Sequence, residues 1–91
     1  MVDVKQAVNT AATYLTELYD ASTLGDVMLE EVELSEAERE WHVTLGFQRL
    51  SKVKIGNFEP LIPLRPSREY KTFTINAETG VVKSMRIRQL Q

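Results

Sequence analysis

His42 is the residue of this sequence best suited to catalysis, because histidine is the commonest acid–base group at neutral pH. The chain has one histidine and no cysteine, which excludes a thiolate nucleophile, a disulfide framework and a zinc–thiolate centre. Alternation with apolar neighbours such as Trp41 predicts His42 on the polar face of a strand. No serine nucleophile motif accompanies it. We therefore expect an exposed strand histidine in a protein that is not an enzyme.

A run of carboxylates in the first half of the chain is the candidate cation site. Calcium loops place oxygen ligands at defined spacings around a glycine turn, and this run has no such pattern. The four glycines of the chain are too dispersed for a phosphate-binding loop. We therefore expect a solvated acidic edge, with no metal ion and no cofactor. The acids concerned are Glu30, Glu31, Glu33, Glu36, Glu38 and Glu40.

The formal net charge of −2 conceals an uneven distribution. Residues 1–46 contain ten acids and two bases, whereas residues 47–91 contain nine bases and three acids. Two interpretations are open: an acidic partner binds the basic half, or the two halves pair as neighbouring strands. Pairing within the fold is favoured, because surface charge alone says little about function.

The basic half also suggests a nucleic-acid interface, since clustered cations neutralise phosphates. A pI near 5.4 argues against it, because a dedicated nucleic-acid binder is usually basic overall. A nucleic-acid-associated accessory role is therefore kept as an alternative function. Its candidate basic surface comprises Arg49, Lys52, Lys54, Arg86 and Arg88.

Length and composition predict one globular domain spanning residues 1–91, with 43% hydrophobic and 26% charged residues. Over residues 2–21, apolar side chains recur at spacings of three and four, which predicts an amphipathic helix. Asp3, near the start of this helix, suits the positive end of the helix dipole. The apolar stripe comprises Val4, Val8, Ala11, Ala12, Leu15, Leu18 and Tyr19.

The rest of the chain alternates with period two, which predicts strands. In the first strand, Met28, Val32 and Leu34 are expected to share one face. The order of elements predicts an α+β fold, a four-stranded antiparallel meander with the N-terminal helix across one face. Residues 76–80 supply the turn of the last hairpin. The predicted strands are about 27–34, 41–49, 69–76 and 81–89.

Trp41 has two interpretations. It is most simply a core anchor beneath the helix, because a large aromatic side chain buries much apolar surface. Alternatively, it lines a pocket, which would make the chain a small-ligand-binding domain. So short a chain leaves little room for more than a shallow cavity.

The segment 50–68 is predicted to be an irregular loop, because Gly56 and three prolines oppose a central strand or a long helix. Two interpretations carry equal weight: a partner-binding surface, or a loop folded over the open end of the core. The candidate partner-binding residues are Phe58, Leu61, Ile62, Leu64, Arg65 and Arg68.

The sequence has neither a secretion signal nor a hydrophobic run long enough for a membrane span. We therefore expect a cytoplasmic protein with no membrane partner. A non-catalytic protein-interaction or regulatory module is the leading functional interpretation, acting through the sheet face or the 56–68 loop. Self-association, as a homodimer, is the first partner to consider, because exposed sheet faces and edges commonly mediate it.

The hairpin segment from Tyr70 to Val82, with Asn76 before a Thr79–Gly80 turn, resembles PepSY-like and cystatin-like small domains. That resemblance implies a helix cradled by a curved antiparallel sheet, in families known for binding and regulation. The cystatin inhibitory hairpin requires a glutamine that the segment 52–56 lacks. Cysteine-protease inhibition is therefore not implied.

Overall fold

The computed structural model describes residues 1–52, 55–63 and 68–89. They form an α+β fold in which one helix packs on a five-stranded antiparallel sheet. The predicted class, a helix on an antiparallel meander, is confirmed, and one short strand is added. The elements are helix α1 (Val4–Leu18), a 3-10 turn (Ala21–Thr23), and strands β1 (Leu24–Ser35), β2 (Glu40–Lys52), β3 (Leu61–Pro63), β4 (Glu69–Asn76) and β5 (Val82–Ile87).

Helix α1 is delimited by side-chain caps. Asp3 is the N-cap, and its carboxylate accepts a hydrogen bond of 2.8 Å from the Gln6 backbone N–H. The Gln6 side chain accepts in return from the Asp3 backbone N–H, at 2.9 Å, which completes a capping box. The helix ends at Leu18, earlier than predicted, because Asp20 caps the following 3-10 turn through Ser22. Within the described residues, no helix is long and apolar enough to cross a membrane.

Strand β2 is the centre of the sheet. The strand order is β1-β2-β4-β5, and β3 pairs with the far end of β2. In the middle of the sheet, Val43 is paired with Val32 on one side and Phe73 on the other. Cross-strand partners lie on the same face, so these three side chains all face the helix.

The hydrophobic core lies between α1 and this face of the sheet. The Tyr14 ring packs edge-on against Phe73, with ring centroids 6.1 Å apart. The apolar face predicted for β2 is confirmed, since Val43, Leu45 and Phe47 are buried in the core cluster, although Thr44 and Gly46 are enclosed on the other face as well. The fully enclosed cluster comprises Ala7, Ala11, Leu15, Val43, Leu45, Phe47, Phe73 and Ile75.

The predicted faces of β1 are partly wrong. The register of β1 on β2 shifts twice, between Gly25 and Met28 and between Leu29 and Glu31. These bulges place Met28 opposite Gly46 on the polar face and bring Leu29 opposite Leu45 on the helix face. Val32 keeps its predicted side.

The predicted irregular loop 50–68 is also partly wrong. Strand β2 continues to Lys52 and pairs with β3, in the register Leu50 to Pro63 and Lys52 to Leu61. A proline is tolerated there because β3 is a short strand outside the main path of the sheet.

Strand β5 departs from strict alternation at its start. The register of β4 on β5 shifts between Thr74 and Ile75, and Val82 packs against the core. Val81 is 60% exposed. Ile87 lies on the same face as Met85, which is opposite Phe73, yet it is 74% exposed.

Candidate functional site

A two-stranded arm extends from the sheet at the end of β2. We call residues 50–52 and 55–63 the arm. Ile55 and Phe58 exchange two backbone hydrogen bonds of 2.8 and 3.0 Å around the two-residue turn Gly56–Asn57. Gly56 has φ +61, a conformation that glycine adopts without strain. This pair continues the register of β2 with β3, so the arm is one hairpin.

The arm extends beyond both neighbours of β2, because the last pairs of β1 and β4 lie at Arg49 and Phe47. Its apolar side chains are exposed: Phe58 by 68%, Ile55 by 65%, Ile62 by 42% and Leu61 by 36%.

None of these four arm residues belongs to the core cluster or packs against it. Phe58 shares a face with Ile55 across the turn, and with Ile62 four residues along the strand. Of the two interpretations of this segment, a loop folded over the core is therefore wrong for its described residues. The arm presents an apolar surface to solvent.

The remaining predicted partner-binding residues do not extend the arm. Leu64 and Arg65 lie outside the described residues. Arg68 is held in the sheet, with its side chain only 18% exposed. Its guanidinium donates to the Asp26 carboxylate at 2.9 Å and to the Asp26 carbonyl at 2.6 Å. Arg68 therefore joins the first bulge of β1 to the start of β4.

Two of the three candidate basic-surface residues with described side chains, Arg49 and Arg88, have carboxylate neighbours. Arg88 lies 3.2 Å from the Glu31 carboxylate. Arg49 stacks over the Tyr19 ring, 4.4 Å from its centroid, and lies 3.9 Å from Glu69.

Among the candidate cations whose side chains are described, Arg86 alone has no carboxylate partner. Lys54 and the side chain of Lys52 lie outside the described part. Pairs between strands also join the acidic half to the basic half, as the charge distribution predicted: Asp26 with Arg68, Glu31 with Arg88, and Glu40 with Lys83.

The sheet face opposite the helix is polar, and His42 lies near its centre. His42 is half-buried, with Nε2 3.4 Å from Glu40 Oε1 and Nδ1 3.8 Å from Glu33 Oε1. Because the two carboxylates approach opposite ring nitrogens, they do not converge on one ligand position. In the ranges that the structure describes, no three histidine or acidic side chains are grouped to hold a metal ion.

Glu40 corrects the expectation of a solvated acidic edge, because it is only 6% exposed. Lys83 donates to one of its carboxylate oxygens, and His42 approaches the other. The hydrogen bond from Lys83 lowers the pKa of Glu40 below its ordinary value of 4.5; burial opposes this shift, and His42 reinforces it. Sequence alternation alone gave no sign of this buried carboxylate, since its two partners come from β2 and β5.

Glu40 should make the stability of the protein depend on acid pH. Because the folded-state pKa is lowered, its stabilisation is present above the ordinary value of 4.5 and is lost as the pH falls through the lowered folded pKa. In Lys83→Met, the main cause of the lowering is removed, so the loss should begin at higher pH. Urea midpoints measured across the acid range test this.

Arg39→Met is the matched control, because Arg39 and Glu78 form an exposed ion pair. Its acid profile should follow that of the wild type. Identical acid profiles for Lys83→Met and wild type would contradict the assignment.

Trp41 anchors the N-terminal segment. Its indole Nε1 donates to the Val2 carbonyl at 2.9 Å, and its ring packs against the core. A shallow groove of about 300 Å³ lies elsewhere, between α1 and β5. Trp41, around which the sequence predicted a pocket, does not line this groove. The groove is lined by Asn9, Thr10, Thr13, Tyr14, Glu17 and Val82.

Comparison with known proteins adds no relative to this description. No protein-family model, no curated protein and no solved structure matches the chain.

Proposed function

We propose that this protein is a non-catalytic interaction module that contacts a protein partner through the apolar face of the arm. The observation that carries the proposal is the exposure of Phe58 and Ile55, by 68% and 65%, at the tip of a projecting hairpin. Grouped apolar side chains on a surface mark interaction sites more often than scattered ones do. Full burial of one such side chain contributes roughly 1.5–3 kcal/mol.

The fold itself gives no reason for apolar residues at the tip of the arm. Phe58 and Ile62 lie outside the core cluster, so polar residues at these positions would leave the core intact. The turn Gly56–Asn57 already supplies what the hairpin requires. A contact with another protein is the function that this arrangement supports best.

The basic half supplies less support for nucleic-acid binding. Of its candidate cations with described side chains, Arg49 and Arg88 already have carboxylate neighbours, as does Arg68 outside that set. Each such pair would have to be exchanged for a phosphate contact.

The arm is tested by the double variant Phe58→Ser and Ile62→Ser. Dimerisation, measured by sedimentation, or recovery of a partner by the tagged protein should weaken by about tenfold or more, because hot-spot side chains contribute about 2 kcal/mol each. The urea midpoint should stay near that of wild type.

Val81→Ser is the matched control, since Val81 is similarly exposed but belongs to the β4–β5 turn. It should retain full binding. A folded double variant that associates as strongly as wild type would remove the arm from consideration.

A further inference from the structure

The two edges of the sheet differ in their ability to accept another strand. The outer edge of β1 is interrupted by two bulges, and Asp26 at the first has φ +54. Bulges of this kind twist an edge away from further pairing. Strand β5 pairs with β4 continuously from Ser84 to Ile87, and no other strand in the described part of the chain pairs with it. Its outer backbone groups are therefore open to a new partner.

The open edge is basic. Lys83, Arg86 and Arg88 lie on or next to β5, and no acid does. Arg86 is exposed and has no carboxylate neighbour among the described residues, and the Arg88 side chain stays 40% exposed beside Glu31. Arg86 is paired with Thr72, whose hydroxyl bonds to Thr44, so it belongs to the polar face of the sheet. Carboxylates along this side would meet complementary charge.

The opposite side of the same edge borders the groove between α1 and β5. The groove begins at Val82 and is lined by helix residues that include Thr10 and Thr13. Glu17 is its single acid, so it suits a neutral polar side chain rather than a carboxylate. A strand presents alternate side chains to its two faces. An added strand would thus send one row of side chains towards the groove and the other towards Arg86.

We propose that the edge of β5 binds an extended acidic segment of a protein partner as an added strand. Backbone hydrogen bonds to β5 supply the pairing, the cations of the polar face select carboxylates at alternate positions, and the groove receives the small polar side chains between them. This surface is separate from the arm, so its failure and that of the arm are distinguishable.

The probe is a fluorescent peptide of about eight residues that alternates Glu with Thr, a length typical of strands. Its binding to the full chain is followed by anisotropy at low and high salt. It should bind at least about tenfold more tightly than the same peptide with Lys in place of Glu. A version methylated on alternate backbone nitrogens should lose binding by a similar factor, because it cannot complete the ladder.

Arg86→Ser should weaken binding of the acidic peptide severalfold, whereas Phe58→Ser should leave it unchanged. If the methylated peptide bound as tightly as the unmethylated acidic peptide, the interaction would depend on charge alone, and the proposal would be overturned. Equal binding of the Lys peptide would overturn it as well. Self-association that disappears in Arg86→Ser would assign the edge to a second copy of the chain instead, which also overturns the proposal.

Discussion

Replacing Phe73 with alanine should lower the free energy of unfolding by about 3–5 kcal/mol, the usual effect of truncating a buried phenylalanine. Phe73 is fully enclosed, in the middle of β4, and is paired with Val43 and Met85 on its two sides. Tyr14 of α1 closes the site from above. The cavity would thus open where the helix meets three strands. In a domain this small, such a loss approaches the whole stability.

Urea denaturation at constant pH measures this effect, and the arm supplies a matched control. Phe58→Ala removes the same atoms from a side chain that is 68% exposed, so its change should stay within about 0.5 kcal/mol. Comparable losses in both variants would mean that the helix does not cover β4 as described.

Gly46→Ala should destabilise the protein by about 1–3 kcal/mol, the range for overpacking. A β-carbon at Gly46 would lie 2.6 Å from Glu30 Oε2 and 2.9 Å from Tyr70 Cε1. Gly46 is buried in β2, and the side chains of Glu30 in β1 and Tyr70 in β4 lie over it. The Glu30 carboxylate can move away, but the Glu30 Cγ, 3.0 Å from the added β-carbon, and the Tyr70 ring both have to shift. The bare backbone at Gly46 therefore makes room for that ring.

Gly25→Ala is the control for a strand glycine. Its β-carbon would meet Leu50 at an ordinary 3.5 Å, so this variant should be neutral or slightly stabilising. Adding Glu30→Ala to Gly46→Ala should recover part of the lost urea midpoint. If both glycine variants unfold at the same midpoint, crowding by Tyr70 and Glu30 is refuted.

Local alternation was enough to predict β2 and the class of the fold. From Trp41 to Phe47, apolar and polar residues follow each other without a break, and period two alone assigns each to a face. Helix α1 was likewise predictable, because Asp3 and the apolar spacing lie within its own segment.

The features that were not predictable depend on strand pairing. The bulges of β1 are defined only against β2, so Met28 was placed on the wrong face. The burial of Glu40 depends on Lys83 in β5. The arm did have a local signal, since Gly56–Asn57 between Ile55 and Phe58 is a recognised two-residue hairpin turn. The nearby prolines masked it, although a proline is compatible with a short strand outside the main path of the sheet.

The two bulges of β1 are the places where this strand can change length without turning its core side chains outward. Leu24 and Val32 flank both bulges, pack against the core and are paired with Arg49 and Val43. Each bulge inserts one residue of β1 that has no partner of its own on β2. Losing that residue would restore regular pairing and leave Leu24 and Val32 opposite the same partners, so single-residue deletions in β1 should be tolerated first at its bulges.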